Sequence, residues 1–226
     1  LARSIIILDE AQSLPSHLLS PILDVLRQLA RHYGCTIVIS TATQPAFASI
    51  PAFADFQAKE IVPDPSSFFK QLERVQYEWR TGQPMPWVDV AELFRSKDQA
   101  LAIVNTKKDA LDLLDTLNEE GMFHLSGLLC GIHRRRVIQE IKRRLRNQEE
   151  CRLVSTQVIE AGVDLDFPLV LRAMGPLDSI IQAGGRCNRE GHLDQGQVIV
   201  FKTEEGRSPP GTYRTAIGVT ESALAT

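Results

Sequence analysis

Four short strings in this sequence hold residue types suited to phosphate chemistry. In the first, Asp9-Glu10-Ala11-Gln12 follows directly on the apolar run Ile5-Ile6-Ile7-Leu8. Adjacent carboxylates at a strand end can divide the work of phosphoryl transfer, with Asp9 holding Mg²⁺ and Glu10 polarising the attacking water. The string also reads as a solvated acidic strand end ahead of a helix cap. The second, Ser40-Thr41-Ala42-Thr43, is a hydroxyl-rich turn after the next apolar run. Alone it reads as a helix cap; its weight comes from falling one strand–helix–strand step after the first. The third runs from Ser155 to Asp164. Here Thr156 can donate to a nucleic-acid phosphate, Gly162 permits close backbone approach, and Asp164 can reach a ribose hydroxyl or an arginine. A ligand-free strand–turn–helix connection would look the same. The fourth is Gln182-Ala183-Gly184-Gly185-Arg186-Cys187-Asn188-Arg189. Arg186 and Arg189 share one face of a helical turn, where guanidinium groups can grip a phosphate bidentately as arginine fingers or simply form a basic surface.

A basic stripe adds to these. Arg134, Arg135, Arg136, Lys142, Arg143, Arg144 and Arg146 place seven cations in thirteen residues. On a helix whose other side packs inward they face solvent, either tracking a nucleic-acid backbone or pairing with Glu140, Glu149 and Glu150.

The elements that must position these residues alternate strand and helix. Strands are expected at Ser4–Leu8 (buried on both faces), Thr36–Ser40, Val75–Trp79, Ala100–Val104, Met122–Leu125, Arg152–Ser155, Leu169–Arg172 and Val198–Phe201. Helices are expected over Leu18–Tyr33, between Pro15-Ser16 and Gly34, and over Lys108–Asn118, Arg134–Arg146 and Ser179–Gly185. This alternation implies an α/β fold of parallel sheets. The expected organisation is a first lobe over 1–82, a linker at 83–86 marked by Gly82, Pro84 and Pro86, a second lobe over 87–204, and a polar tail over 205–226.

Composition bounds the function. The 226 residues are 43% hydrophobic, enough for a real core. With 25 Lys+Arg against 28 Asp+Glu, the net charge of −3 excludes a globally basic nucleic-acid binder. The four cysteines form no CxxC pair, so they read as small buried residues in a reducing cytoplasm rather than a disulfide or zinc framework. The five histidines form no metal-binding cluster. No apolar run approaches the roughly 20 residues a bilayer requires, and no signal peptide is visible. The sequence enters an apolar strand within four residues of Leu1, which reads as a segment of a longer chain.

The order of the four strings resembles the second half of the motif set of superfamily 2 helicases, across about residues 4–201. The resemblance implies two RecA-like lobes, the first partial here, with ATP and Mg²⁺ as cofactors. It implies that Ser40, Thr41 and Thr43, with Gln12, couple hydrolysis to lobe movement. Gly162, Asp164, Gln182, Arg186 and Arg189 would close on the nucleotide, and Asn105, Thr106, Thr156 and Gln157 would touch the nucleic-acid strand. The strings Ser40–Ala46, Ile103–Lys107, His124-Leu125-Ser126, His133-Arg134, Ser155–Pro168 and Gly185–Gly191 are similar to one narrower family, the CRISPR-associated helicase-nuclease of type I interference systems. That resemblance implies 3′-to-5′ translocation on single-stranded DNA after a surveillance complex finds its target. It also places His133, Arg134 and Arg135 against the strand. No Gly-Lys-Ser or Gly-Lys-Thr phosphate loop occurs, so that loop is expected upstream of Leu1, and the chain alone is expected to hydrolyse ATP negligibly. No His-Asp pair like that of the family's nuclease domain occurs among these residues, so that domain is expected elsewhere in the longer chain. Position 12 is Gln where many relatives carry His, and Ala183 stands where the general pattern has Arg. A general RNA or DNA helicase, and a non-catalytic nucleic-acid-binding remnant, are the alternative readings.

Overall fold

The structure, a computed structural model, describes residues 2–41, 50, 53–54, 59–62, 64–160 and 163–225. Thr43 and Gly162 lie outside the described residues. The chain divides into two compact units, Leu1–Lys70 and Gln71–Thr226.

In the first unit, β1 (Ile5–Leu8) and β2 (Thr36–Ile39) pair in parallel, joined by α1 (Leu19–Tyr33). A parallel pair needs a crossover of this kind. Gly34 closes α1 in the left-handed region, its N–H donating to the Leu29 carbonyl. Leu23 of α1 packs with Phe53, Leu19, Ile39 and Ile50. β1 was expected to be buried on both faces, yet Ile5 and Ile7 are 70% and 67% exposed. Among the described residues the buried cluster of this unit covers only the other face. α2 (Pro65–Gln71) ends where the second unit begins.

The second unit is a six-stranded, all-parallel sheet in the order β3-β8-β7-β4-β6-β5. Its strands are β3 (Val75–Met85), β4 (Gln99–Ile103), β5 (Phe123–Leu125), β6 (Cys151–Ser155), β7 (Leu169–Ala173) and β8 (Gly196–Thr203). Helices cover both faces, which is why the central strands are continuous apolar runs. α3 (Trp87–Arg95) and α4 (Lys107–Leu117) bury Phe94 and Leu113 against Ala100, Ala102, Leu171 and Phe201. On the opposite face, α5 (Gly131–Arg146) and α6 (Leu177–Gly184) bury Ile141 and Ile180 against Leu101, Ile103, Leu153, Val170 and Val198.

Three expectations need correction here. The linker at 83–86 is mostly strand: β3 runs to Met85, which pairs with Thr203 after a register irregularity. β3 is an edge strand, where a proline costs no ladder hydrogen bond on the open side and a kink is tolerated. The unit boundary therefore falls after Lys70 and not after residue 82. The polar tail over 205–226 holds α7 (Thr212–Leu224), with Thr220 buried and Ile217 packed on the core. Tyr213, Ile217 and Thr220 recur at helical spacing, and that stripe docks the segment. Finally, Cys130 is exposed, whereas Cys35, Cys151 and Cys187 are buried.

Candidate functional site

In the first unit, parallel pairing sets the carboxyl ends of β1 and β2 side by side. The Ser40 N–H donates to the Leu8 carbonyl at 2.8 Å and the Ala11 N–H to the Ser40 carbonyl at 3.1 Å. The strings after the two strands thus form one edge. Glu10 sits in the left-handed region at φ 54°, ψ 44°, a conformation costing a side-chain-bearing residue about 1–2 kcal/mol. Ser13 holds it there, donating to the Glu10 carbonyl from its N–H (2.8 Å) and its hydroxyl (2.7 Å). Gln12 joins the two strings: its amide nitrogen donates to the Glu10 carboxylate and its amide oxygen accepts from the Thr41 hydroxyl. Asp9 spends one carboxylate oxygen on the Glu10 N–H at 3.1 Å. Its exposed oxygens are hard donors of the kind Mg²⁺ takes together with water and phosphate. No group of three or more His, Cys, Asp or Glu side chains able to hold a metal converges among the described residues.

In the second unit the predicted residues gather at two opposite edges of the sheet. Asn105 and Thr106 follow β4, and Thr156 and Gln157 follow β6. Because β4 and β6 pair in parallel, these four lie together at the carboxyl-terminal edge. Thr106 caps α4, its hydroxyl accepting from the Asp109 N–H at 3.1 Å. Gln157 donates to the Asn105 carbonyl at 2.9 Å, tying the two loops. Asn105 and Thr156 are only 7% and 5% exposed. They set the shape of this edge and offer little surface to a ligand.

The Asn105 side chain enters a buried polar cluster that sequence reasoning missed. It donates to the Met174 carbonyl at 2.7 Å, and its oxygen accepts from Arg172 and from the Tyr213 hydroxyl, both at 2.9 Å. Arg172 is fully buried. It also donates to the Ala173 carbonyl (2.7 Å), the Tyr213 hydroxyl (2.9 Å) and the Glu160 carboxylate (3.2 Å). Burial pushes the Glu160 carboxyl above the usual carboxylate range, opposed by the Arg172 charge and a Ser179 hydrogen bond. The available signal was a lone charge in the apolar string Leu169-Val170-Leu171-Arg172-Ala173.

Asp164 and Arg189 lie at the other edge, since they precede β7 and β8 rather than follow a strand. Arg189 pairs with Asp164 at 2.9 Å, both side chains being exposed. Asp166 accepts the backbone N–H groups of Arg189 (2.7 Å) and Glu190 (3.1 Å), a fixing role sequence reasoning also missed. Arg186 behaves differently: it donates to the carbonyls of Ile159 (3.2 Å) and Glu160 (2.7 Å), holding the loop after β6. Gln182 is half-buried on α6. A cleft of about 890 Å³ opens at this edge, lined in part by Asp164, Asp166, Lys142, Arg146 and His192.

α5 spans the two edges, and its cations divide accordingly. Arg143 binds Glu140 and Glu149, while Arg144 binds Glu140 and the Glu150 carbonyl and stacks on Phe123. Those two form the solvated ion-pair face. Near the start of the helix, His133, Arg135 and Arg136 are exposed and Arg134 is half-buried. No ion pair engages these three arginines among the described residues.

The comparisons with known proteins bear on this geometry. A family model described as CRISPR-associated nuclease/helicase Cas3, C-terminal, matches residues 96–192. The CRISPR-associated nuclease/helicase Cas3 of Methanothermobacter thermautotrophicus is 26% identical over 218 residues, covering 89% of this chain and 26% of that protein. The Haloferax volcanii protein of the same name is 46% identical over 85 residues, 33% of this chain and 9% of that one. Over these segments the chain is similar to the Cas3 helicase-nucleases. It spans about a quarter of the length of its Methanothermobacter relative. The likeness in fold agrees: T. fusca Cas3-AMPPNP superposes with a TM-score of 0.66 at 20% identity, covering 97% of this chain and 32% of that one. S. cerevisiae Dbp5 bound to RNA and ADP BeF3 gives a TM-score of 0.58 at 21% identity, covering 98% and 56%. The α/β fold of this Cas3-like segment is thus that of RecA-like helicase lobes. No helix among its described residues is long and apolar enough to cross a membrane.

Proposed function

We propose that this chain is part of an ATP-dependent helicase that translocates on single-stranded DNA in type I CRISPR interference, working with a surveillance complex in the cytoplasm. The observation that carries this reading is the Glu10–Gln12–Thr41 chain, a direct route from the candidate water-activating carboxylate to the turn after the next strand. Glu10 accepts the proton of the attacking water as the water oxygen bonds to the γ-phosphorus and the β–γ bridging P–O bond breaks, ADP taking the electron pair as leaving group. Mg²⁺, held by Asp9, supplies charge neutralisation at the nucleotide phosphates when bound. A movement of the Glu10 carboxylate reaches Thr41 through the Gln12 amide. The Arg189 side chain, exposed and paired among the described residues with the exposed Asp164, is available to phosphate oxygens. Arg186 acts as a positioning residue for the loop after β6. His133, Arg134, Arg135 and Gln157 contact the strand, while Asn105, Thr106 and Thr156 hold the edge that receives it.

Fluorescence anisotropy of the chain with oligo(dT), against RNA of equal length, tests the nucleic-acid part. Binding should weaken steeply with salt, and replacing Arg134 and Arg135 by Ala should flatten the salt slope by about one to two phosphate contacts. A slope unchanged by both substitutions removes these residues from the interface. Tighter binding to RNA favours a general RNA helicase.

A further inference from the structure

We infer that α7 is a brace for the nucleic-acid edge, with Tyr213 as the positioning residue that holds the loops after β4 and β6 in their strand-binding arrangement. The inference rests on the functional reading above and adds the element that regulates it.

Among the described residues, the Tyr213 hydroxyl is the group of α7 that hydrogen-bonds into this cluster. It accepts from Arg172 at 2.9 Å and donates to the Asn105 side chain at 2.9 Å. Asn105 heads the loop that continues into Thr106 and α4. Arg172 in turn binds Glu160, in the loop that begins with Thr156 and Gln157. One hydroxyl therefore touches an amide of the loop after β4 and the β7 guanidinium that in turn binds the loop after β6. The segment leading into α7 is anchored to the same region independently. Arg207 pairs with Asp109 at 2.8 Å and with Asp112 at 2.5 Å, both in the first turns of α4, and Asp109 is 2% exposed. Gly175 fits the same picture, because a Cβ there would lie 2.8 Å from the Arg172 guanidinium and 3.2 Å from the Tyr213 hydroxyl. The backbone thus leaves room for this contact and little else. Buried polar contacts of this kind fix one arrangement, because an alternative arrangement would leave the same groups unpaired in a dry interior. A displacement of α7 must break them, and it would loosen both loops together.

Two measurements on the chain test this, comparing the native protein with Tyr213→Phe and Arg214→Ala. Phe keeps the ring and removes only the hydroxyl. Arg214 is exposed on the same helix and, among the described residues, donates to the Ser208 hydroxyl. Amide hydrogen exchange of the ligand-free chain should quicken at 105–109 and 157–160 in Tyr213→Phe, with β4 and β8 unchanged and Arg214→Ala behaving as native. Oligo(dT) affinity should fall roughly three- to tenfold, the factor one net hydrogen bond is worth. Native exchange at both loops in Tyr213→Phe overturns the brace. So does faster exchange spread evenly over the sheet, which would mark general stability. If the native chain binds no oligo(dT), the functional reading fails, and the exchange pattern still decides the brace. If it binds and Tyr213→Phe binds equally well, the brace plays no part in binding.

Discussion

Four of the five N–H groups of the Arg172 guanidinium find acceptors inside the fold, and only Nε has none. Replacing this residue leaves the partly buried Glu160 carboxylate and the Asn105 oxygen short of partners. Arg172→Met is therefore expected to destabilise the second unit by about 3–5 kcal/mol, read from the urea midpoint. Arg172→Lys should recover little of that, because an ammonium cannot span four acceptors in a plane. At Glu10 the expected result is different. Glu10→Gln leaves the left-handed backbone and its Ser13 contacts intact, so thermal stability should change little while hydrolysis is lost. Asp9, Glu10, Thr41, Asp164 and Arg189 stand out in the sequence by type and order, and their roles in phosphate chemistry are the proposal made above. Arg172, Tyr213 and Arg207 do not stand out. Each acts through a partner between 41 and 108 positions away in sequence, and no local pattern encodes a contact of that range.

α5 gives a pH prediction at the scale of an element. Hydrogen bonds from Arg143 and Arg144 hold the Glu140 carboxyl down at about 2. A carboxyl whose folded value lies below its unfolded one contributes stability above the unfolded value of about 4.5 and loses it as pH falls toward about 2. Acid titration followed by circular dichroism should thus show the native helix outlasting Glu140→Gln between about pH 4.5 and 2. Equal acid midpoints would contradict the pairing. The packing of α6 on β3 gives a second test. A Cβ at Gly184 would lie 2.0 Å from the Tyr77 hydroxyl. Gly184→Ala should cost about 1–3 kcal/mol, and Tyr77→Phe in the same chain should restore part of it, as a double-mutant cycle would measure. Most elements were legible because they are strongly periodic. α7 was not, because Pro209-Pro210 and the polar residues before it read as a tail, and its single apolar stripe is short. α3 carried a readable stripe in Trp87, Val90, Ala91 and Phe94, hidden by the prolines just ahead of it.

For the whole molecule, the parallel α/β class follows from alternating strands and helices, and the resemblance to helicases from four strings in a fixed order. The unit boundary was misread because the Gly82 and Pro84 signals fall in an edge strand, where a proline is as much at home as in a linker. Reading each string as the carboxyl end of a strand also hid the separation of the second unit's candidates onto opposite edges, since Asp164 and Arg189 precede their strands. The central claim is that the residues after β1 and β2 belong to an ATPase driven by a single strand. Its most direct test is ATP hydrolysis by the protein that carries this chain together with a Gly-Lys-Ser/Thr phosphate loop, with and without single-stranded DNA. The account predicts stimulation by single-stranded DNA and a loss of at least about a hundredfold in Glu10→Gln, the scale of a missing general base. Hydrolysis that ignores single-stranded DNA, or that survives Glu10→Gln, would contradict it.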